Sequence, residues 1–303
     1  MPGHKRNKTL LGIELPYDLD ITEIDGFDDL HHADGILKEE QERAARVFGA
    51  EESHFLVNGS TAGILSAVMG CTHRGDKILV ARHCHKSIYH AIYMNGLVPR
   101  YVYPEFDISM HMNGEISKED VAKALAAEPD IKAVVIVSPN YDGVVSDVKG
   151  IAEVAHSYRI PLIVDEAHGP HFGFHPAFPG RANDLGADVV INSLHKTLPS
   201  LTQTAILHIN GKLANRRRIK KYLDMLQSSS PSYIFMASLD ACVDFLDGKC
   251  EEAFELYVER LQKFREELKP LQHLQILRTE HYDISKVVIS TANANITSPE
   301  LAD

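Results

Sequence analysis

Two residues in this chain combine the right type and position for covalent carbonyl chemistry. Lys196 lies in Ser193-Leu194-His195-Lys196-Thr197, just past an apolar run at 189–192. Asp165 follows the apolar triplet Leu162-Ile163-Val164 and opens Asp165-Glu166-Ala167-His168. Lysine is the side chain that forms Schiff bases with aldehydes. An aspartate at the end of a buried strand can pair with a pyridinium nitrogen, as pyridoxal phosphate chemistry requires. On this reading Lys196 holds an aldehyde and Asp165 tunes the ring. A rival exists: Lys86 also sits in a His-Lys-hydroxyl triplet, His85-Lys86-Ser87, and composition alone does not choose between the two lysines.

Other chemically suggestive segments also fall where strands should end. Asn58-Gly59-Ser60-Thr61 precedes a helical pattern. Free amides at a helix start, with two hydroxyls, make a phosphate cradle. The same residues also make an ordinary turn with Thr61 as N-cap. In Arg82-His83-Cys84-His85-Lys86-Ser87 an imidazole could stack on a flat ring; the plainer reading is a polar loop. An acid such as Asp165 is costly to bury without a partner, although it could simply cap the next element. His168, His171 and His175 raise a metal reading with Asp165, but Gly169, Pro170 and Gly173 argue against a helical face of ligands. Ser228-Ser229-Ser230-Pro231-Ser232-Tyr233 is either a capping turn or a second anion contact.

The elements that must position these groups alternate in type. Helices are expected at 36–48, 61–71, from Lys86, 118–127 and 148–158, with strands at 54–57, 77–81, 98–102, 134–137, 161–164, 189–192 and 205–209. Such alternation implies a mostly parallel, seven-stranded sheet in a three-layer α/β/α arrangement. In open sheets of this kind ligands bind beyond the carboxyl ends of the strands. Three further helices are expected at 212–227, 233–246 and 251–268. The last carries Phe254, Tyr257, Leu261, Phe264 and Leu268 at helical spacing, read as a core-packing stripe. A strand is expected at 286–290. The organisation is therefore an arm at 1–35, a large cofactor-binding domain at 36–247, and a helix with the start of a C-terminal region at 248–303.

Composition narrows the partners. The formal charge of −11 over 303 residues argues against nucleic-acid and anionic-membrane partners and suits a cationic substrate. No apolar run is long enough to span a bilayer, and the basic first residues lack the apolar core of a secretory signal. Cys71, Cys84, Cys242 and Cys250 are scattered, which fits reduced thiols in the cytoplasm.

Taken together, these segments resemble the PLP-dependent Orn/Lys/Arg decarboxylase family, specifically its large domain of the aspartate-aminotransferase-like fold type I. The resemblance runs from Met1-Pro2-Gly3-His4-Lys5 through Asp25-Gly26-Phe27-Asp28-Asp29-Leu30-His31 and the segments quoted above, so it covers nearly the whole chain. It implies pyridoxal 5'-phosphate as cofactor, Lys196 as the Schiff-base lysine and Asp165 as the partner of the ring nitrogen. It further implies that His85 stacks on the ring, that His168 lies close to it, and that Ser60, Thr61, Ser193 and His195 bind the phosphate. The expected activity is decarboxylation of lysine, arginine or ornithine, with a homodimer whose interface holds the site. Another fold-type I reaction, such as transamination or aldol cleavage, and a cofactor-binding protein without turnover are the alternatives. Against the family pattern the chain is expected to be trimmed at both ends.

Overall fold

A computed structural model describes residues 2–9, 11–108, 110–277 and 281–302. After a short 3-10 turn at Leu30–His32 come α1 (Ile36–Phe48), β1 (Glu52–Leu56), α2 (Gly59–Cys71), β2 (Lys77–Ala81), α3 (Lys86–Asn95) and β3 (Val98–Val102). The small strands β4 (Phe106–Asp107) and β5 (Met112–Asn113) form a hairpin. Then follow α4 (Lys118–Ala127), β6 (Ile131–Val137), α5 (Val148–Ser157), β7 (Leu162–Asp165), β8 (Val189–Asn192), the single turn α6 (Leu194–Thr197) and β9 (Ala205–Ile209). The chain closes with α7 (Arg216–Leu226), α8 (Tyr233–Leu246), α9 (Glu251–Leu268), the paired strands β10 (Gln275–Ile276) and β11 (Ile289–Ser290), and α10 (Ser298–Ala302).

The central sheet has seven strands in the order β1-β9-β8-β7-β6-β2-β3. Its β8, β7, β6, β2 and β3 pair in parallel, while β9 runs antiparallel to both β1 and β8. The β-branched content of β6 and β8 suits strands covered on both faces. Alternation divides the core in two. Leu56, Leu207 and Ile209 join α2, α3, α4, α5 and α7 on one face. Phe55, Val57 and Ile206 join α1, α8 and α9 on the other. The expected three-layer fold is therefore the observed one.

Helix ends follow local chemistry. Gly49 and Gly96 close α1 and α3 in the left-handed conformation at φ 67° and 58°, where a side chain would be strained. Ser117, Asp147, Asn215 and Ser232 cap α4, α5, α7 and α8 through their side-chain oxygens. The start of α1 has no such neighbour. Instead the carboxylate of Asp28 accepts bonds from the amides of Asp34, Gly35 and Leu37 at 3.1, 2.9 and 2.9 Å. Tyr233 Oη donates to the Asp28 carbonyl at 2.6 Å, and His31 Nε2 donates to the Ser228 carbonyl at 2.8 Å. The 25–31 motif thus ties the N-terminal arm to the serine-rich turn.

Three expectations are corrected. The strand at 286–290 reduces to Ile289–Ser290, because Lys286 is taken up by a turn in which its amide donates to the Asp283 carbonyl. The helix expected from 212 begins at Arg216, where Asn215 supplies the cap. On α9, Phe254 and Leu261 are buried together with Val258, but Tyr257 and Phe264 are exposed at 41% and 43%. That helix packs through a narrow i, i+4, i+7 seam; Tyr257 reaches only the rim of the core, its ring 6.3 Å from that of Phe178.

Candidate functional site

Beyond the carboxyl ends of β6 and β7 lies a cleft of about 430 Å³ lined by Ser60, Thr61, His83, His85, Asn140, Tyr141, Asp142, Asp165, His168, His195 and Lys196 among others. Parallel strands end at one edge of the sheet, and the loops that follow them converge there. Residues distant in sequence therefore meet. Seven of the eight site residues read from the sequence line this cleft. The eighth, Ser193, is fully buried, its Oγ without a hydrogen-bond partner among the described residues. Lys86, the rival lysine, is the exposed first residue of α3 and lies outside the cleft.

Asp165 is the last residue of β7 and is 3% exposed. Its Oδ1 accepts a bond from the Ala167 amide at 3.2 Å. Burial pushes its carboxyl up to about 6, while the Lys196 ammonium and the Ala167 amide pull the other way. Such a carboxylate calls for a cation. Lys196 is carried by α6, whose single turn projects it into the cleft; its Nζ lies 3.0 Å from His168 Nε2. Partial enclosure lowers the proton affinity of Lys196, Asp165 opposes that shift, and the nearby Lys286 reinforces it. His168 is driven down to about 4, first by burial and then by Lys196, so its imidazole is neutral near pH 7 and accepts from Nζ. The Tyr141 ring meets His168 edge-on at 5.6 Å.

The remaining walls are polar and oriented. His85 is the N-cap of α3; its Nδ1 accepts from the Ser87 amide at 3.3 Å and lies 2.9 Å from Ser87 Oγ. Burial and the charges of Lys196 and Lys86 lower its pKa. His195 Nδ1 donates to the Thr204 carbonyl at 2.9 Å, which fixes the orientation of the ring at the cleft wall. Ser60 and Thr61 stand in the first turn of α2. Asn58, immediately before that helix, does not cap it; its Oδ1 accepts from the Ser228 amide at 3.1 Å instead. The α2 amides thus face the cleft as a ready anion site. His83 Nδ1 is buried with no hydrogen-bond partner among the described atoms.

These groups fit one flat, anionic, carbonyl-bearing molecule. A lysine amine could hold its carbonyl, a buried acid could face a ring cation, and uncapped amides with hydroxyls could take a phosphate. The orphaned His83 Nδ1 is a further polar atom in want of a partner.

Sequence reasoning passed over Asn140, Tyr141 and Asp142. The signal was available: Asn140-Tyr141-Asp142-Gly143 stands just past the end of β6, the position where ligand contacts gather. The three histidines weighed as metal ligands separate. His168 meets Lys196, His171 meets Asp283, and His175 meets Glu255. The serine-rich turn does not line the cleft; Ser232 caps α8. No helix among the described residues is long and apolar enough to cross a membrane.

Comparison with known proteins gives the family and the fold. The family model described as Orn/Lys/Arg decarboxylase, major domain, matches residues 14–293. An arginine decarboxylase of Halalkalibacterium halodurans is 36% identical over 98% of this chain and 63% of its own length. An uncharacterised Bacillus subtilis protein, YaaO, is 46% identical over 77% of this chain and 49% of its own. Among solved structures, lysine decarboxylase A from Pseudomonas aeruginosa superposes with a TM-score of 0.73 at 27% identity, covering 85% of this chain and 38% of that one. This chain thus spans between about half and two thirds of the curated relatives named here. From the family match across the sheet, the cleft and most of the C-terminal segment, the chain belongs to the Orn/Lys/Arg decarboxylase family, in the part that forms its major domain.

Proposed function

We propose that this chain binds pyridoxal 5'-phosphate in the cleft at Lys196 and uses it to decarboxylate a basic amino acid: lysine, arginine or ornithine. The observation that carries this reading is the convergence of a lysine, a buried acid and an uncapped helix start on one cleft. When bound, the cofactor supplies an electron sink for the carbanion left by departing CO₂.

The protein's own residues have separate tasks. Lys196 would hold the carbonyl carbon through Nζ. Its lowered proton affinity raises the fraction of neutral, nucleophilic amine. His168 accepts from Nζ and, being neutral, adds no competing charge. Asp165 would face the ring nitrogen and keep a proton on it, its own charge stabilised in return. His85 would lie against the ring plane and fix its tilt. The α2 amides with Ser60, Thr61 and His195 would anchor the phosphate, with the Ser193 hydroxyl, behind the wall, turning to join them. The net charge of −11 suits a cationic substrate, in keeping with the basic amino acid named here, although charge alone selects no particular one. The Tyr141 ring, 79% exposed at the cleft mouth, supports a homodimer in which a second copy covers the site.

The test begins with cofactor incubation, borohydride reduction and peptide mass mapping. The cofactor mass is expected on Lys196 and absent from Lys196→Ala. Carboxyl-labelled lysine, arginine and ornithine are then offered in turn, with label release as the readout. Attachment at Lys86 would refute the lysine assignment. Attachment at Lys196 with amine loss but no label release would refute decarboxylation.

A further inference from the structure

The turn that bears Lys196 is four residues long, too short for helical hydrogen bonds alone to define it. Its fixity comes from elsewhere. Thr197, directly after Lys196, places Oγ1 3.0 Å from His171 Nδ1. The other ring nitrogen, His171 Nε2, lies 3.2 Å from Asp283 Oδ1. A carboxylate only accepts, so Nε2 carries a hydrogen, and the Thr197 hydroxyl, able to donate or accept, pairs with Nδ1. His171 is 1% exposed and Asp283 0%.

Asp283 is also held from the far side. Its Oδ1 accepts from the Ser285 amide at 2.9 Å, and its Oδ2 accepts from Ser285 Oγ at 2.7 Å. Burial alone would raise this carboxyl; the bonds from His171 and Ser285 outweigh it and hold it below its ordinary value. The Asp283 amide donates to the Gly143 carbonyl at 2.8 Å, and the Val145 amide donates to the His281 carbonyl at 3.0 Å. Gly143 adopts φ +98°, and a Cβ there would meet Lys286 Cγ at 2.7 Å, so the close approach of the two segments depends on glycine. The segment after α9 therefore clasps the loop that supplies Asn140, Tyr141 and Asp142. Through one imidazole it also reaches the Lys196 turn. A buried carboxylate is costly to retain, and a plain packing contact would be served by an apolar residue.

We propose that Asp283 and His171 form a positioning pair for Lys196. Asp283 fixes the ring tautomer and orientation of His171, and His171 fixes the Thr197 hydroxyl. The direction in which Lys196 Nζ enters the cleft follows. Neither residue lines the cleft itself. The inference rests on the reading of Lys196 as the cofactor-holding lysine.

The experiment compares wild type, Thr197→Val, Thr197→Ser and His171→Asn. Three quantities are read: the rate of borohydride-trappable attachment at Lys196, the affinity for pyridoxamine phosphate, and the thermal midpoint. Pyridoxamine phosphate has no aldehyde and reports the cleft without the lysine. Thr197→Val conserves shape and deletes the hydroxyl, so attachment should slow about tenfold or more, since small misplacements of a reacting group are costly in rate. Its pyridoxamine phosphate affinity should stay near the wild-type value, while its thermal midpoint should fall only by what one lost buried hydrogen bond costs. Thr197→Ser should restore the rate. His171→Asn keeps an acceptor near the Nδ1 position and should fall between the two. An unchanged rate in Thr197→Val overturns the proposal. So does a slowed rate matched by an equal loss of pyridoxamine phosphate affinity, which is what a merely structural role would give. A wild-type protein that never attaches the cofactor at Lys196 overturns the functional reading first, and this inference with it.

Discussion

Replacing Asp165 by asparagine should make the cofactor-free protein more stable at neutral pH, although it removes a residue assigned to the site. The Asp165 carboxyl is 3% exposed and pushed up to about 6 in the fold, from an ordinary 3.8. Below about pH 4 it is protonated in both folded and unfolded chains and carries no penalty. Between about pH 4 and 6 the unfolded chain releases the proton while the folded chain keeps it, so stability falls as pH rises. Above about pH 7 the loss is complete. A gap of about two pH units corresponds to about 3 kcal/mol. Asparagine retains an oxygen for the Ala167 amide, now 3.2 Å from Oδ1, and never ionises. The assay is urea unfolding of both cofactor-free proteins from pH 4 to 8. The variant's advantage should be small at pH 4 and grow by about 3 kcal/mol by pH 7, then level off. A difference independent of pH would refute the burial argument. Saturating cofactor should reverse the order, because a ring cation would then repay the buried charge.

Three further outcomes follow from particular contacts. Gly70→Ala should destabilise by about 1–3 kcal/mol or more, measured by urea unfolding, because a Cβ there would stand 2.8 Å from Ile219 Cα and 2.9 Å from its nitrogen. The backbone of α7 cannot yield as a side chain could. Asp28→Ala should cost about 1–2 kcal/mol, as lost helix caps do, and should speed proteolysis of the N-terminal arm; unchanged proteolysis would mean that the arm is held by other contacts. The His168 imidazole should titrate near pH 4 by NMR, and a midpoint above 6 would show that it is not enclosed beside Lys196.

Much of the architecture was legible because its signals are local. The periods of two and 3.6 in the apolar residues, with capping residues at the boundaries, placed α1, α8 and α9 and β2, β3, β8 and β9 at their observed limits. The strand at 286–290 was misread because an apolar run was taken for pairing, whereas Lys286 belongs to a turn closed on Asp283. The exposed Tyr257 and Phe264 show the same limit: spacing says which residues share a helix face, not how much of that face another element covers.

The site divides along the same line. Residue type and position past the strand ends pointed to Lys196, Asp165 and the 58–61 and 82–87 segments, while the family resemblance supplied the roles of His85, His168, His195, Ser60 and Thr61. By itself the sequence determined the alternation of strands and helices and the groups able to hold a carbonyl, an acid and an anion. Composition left two lysines open and the family resemblance pointed to Lys196; the tertiary structure alone decided that Asn140, Tyr141 and Asp142 join the cleft wall and that Asp283 reaches Thr197 through His171. The reason is sequence distance. His171 and Asp283 are separated by 112 positions, and no local preference encodes their meeting; the strand order and the packing of the segment after α9 bring them together.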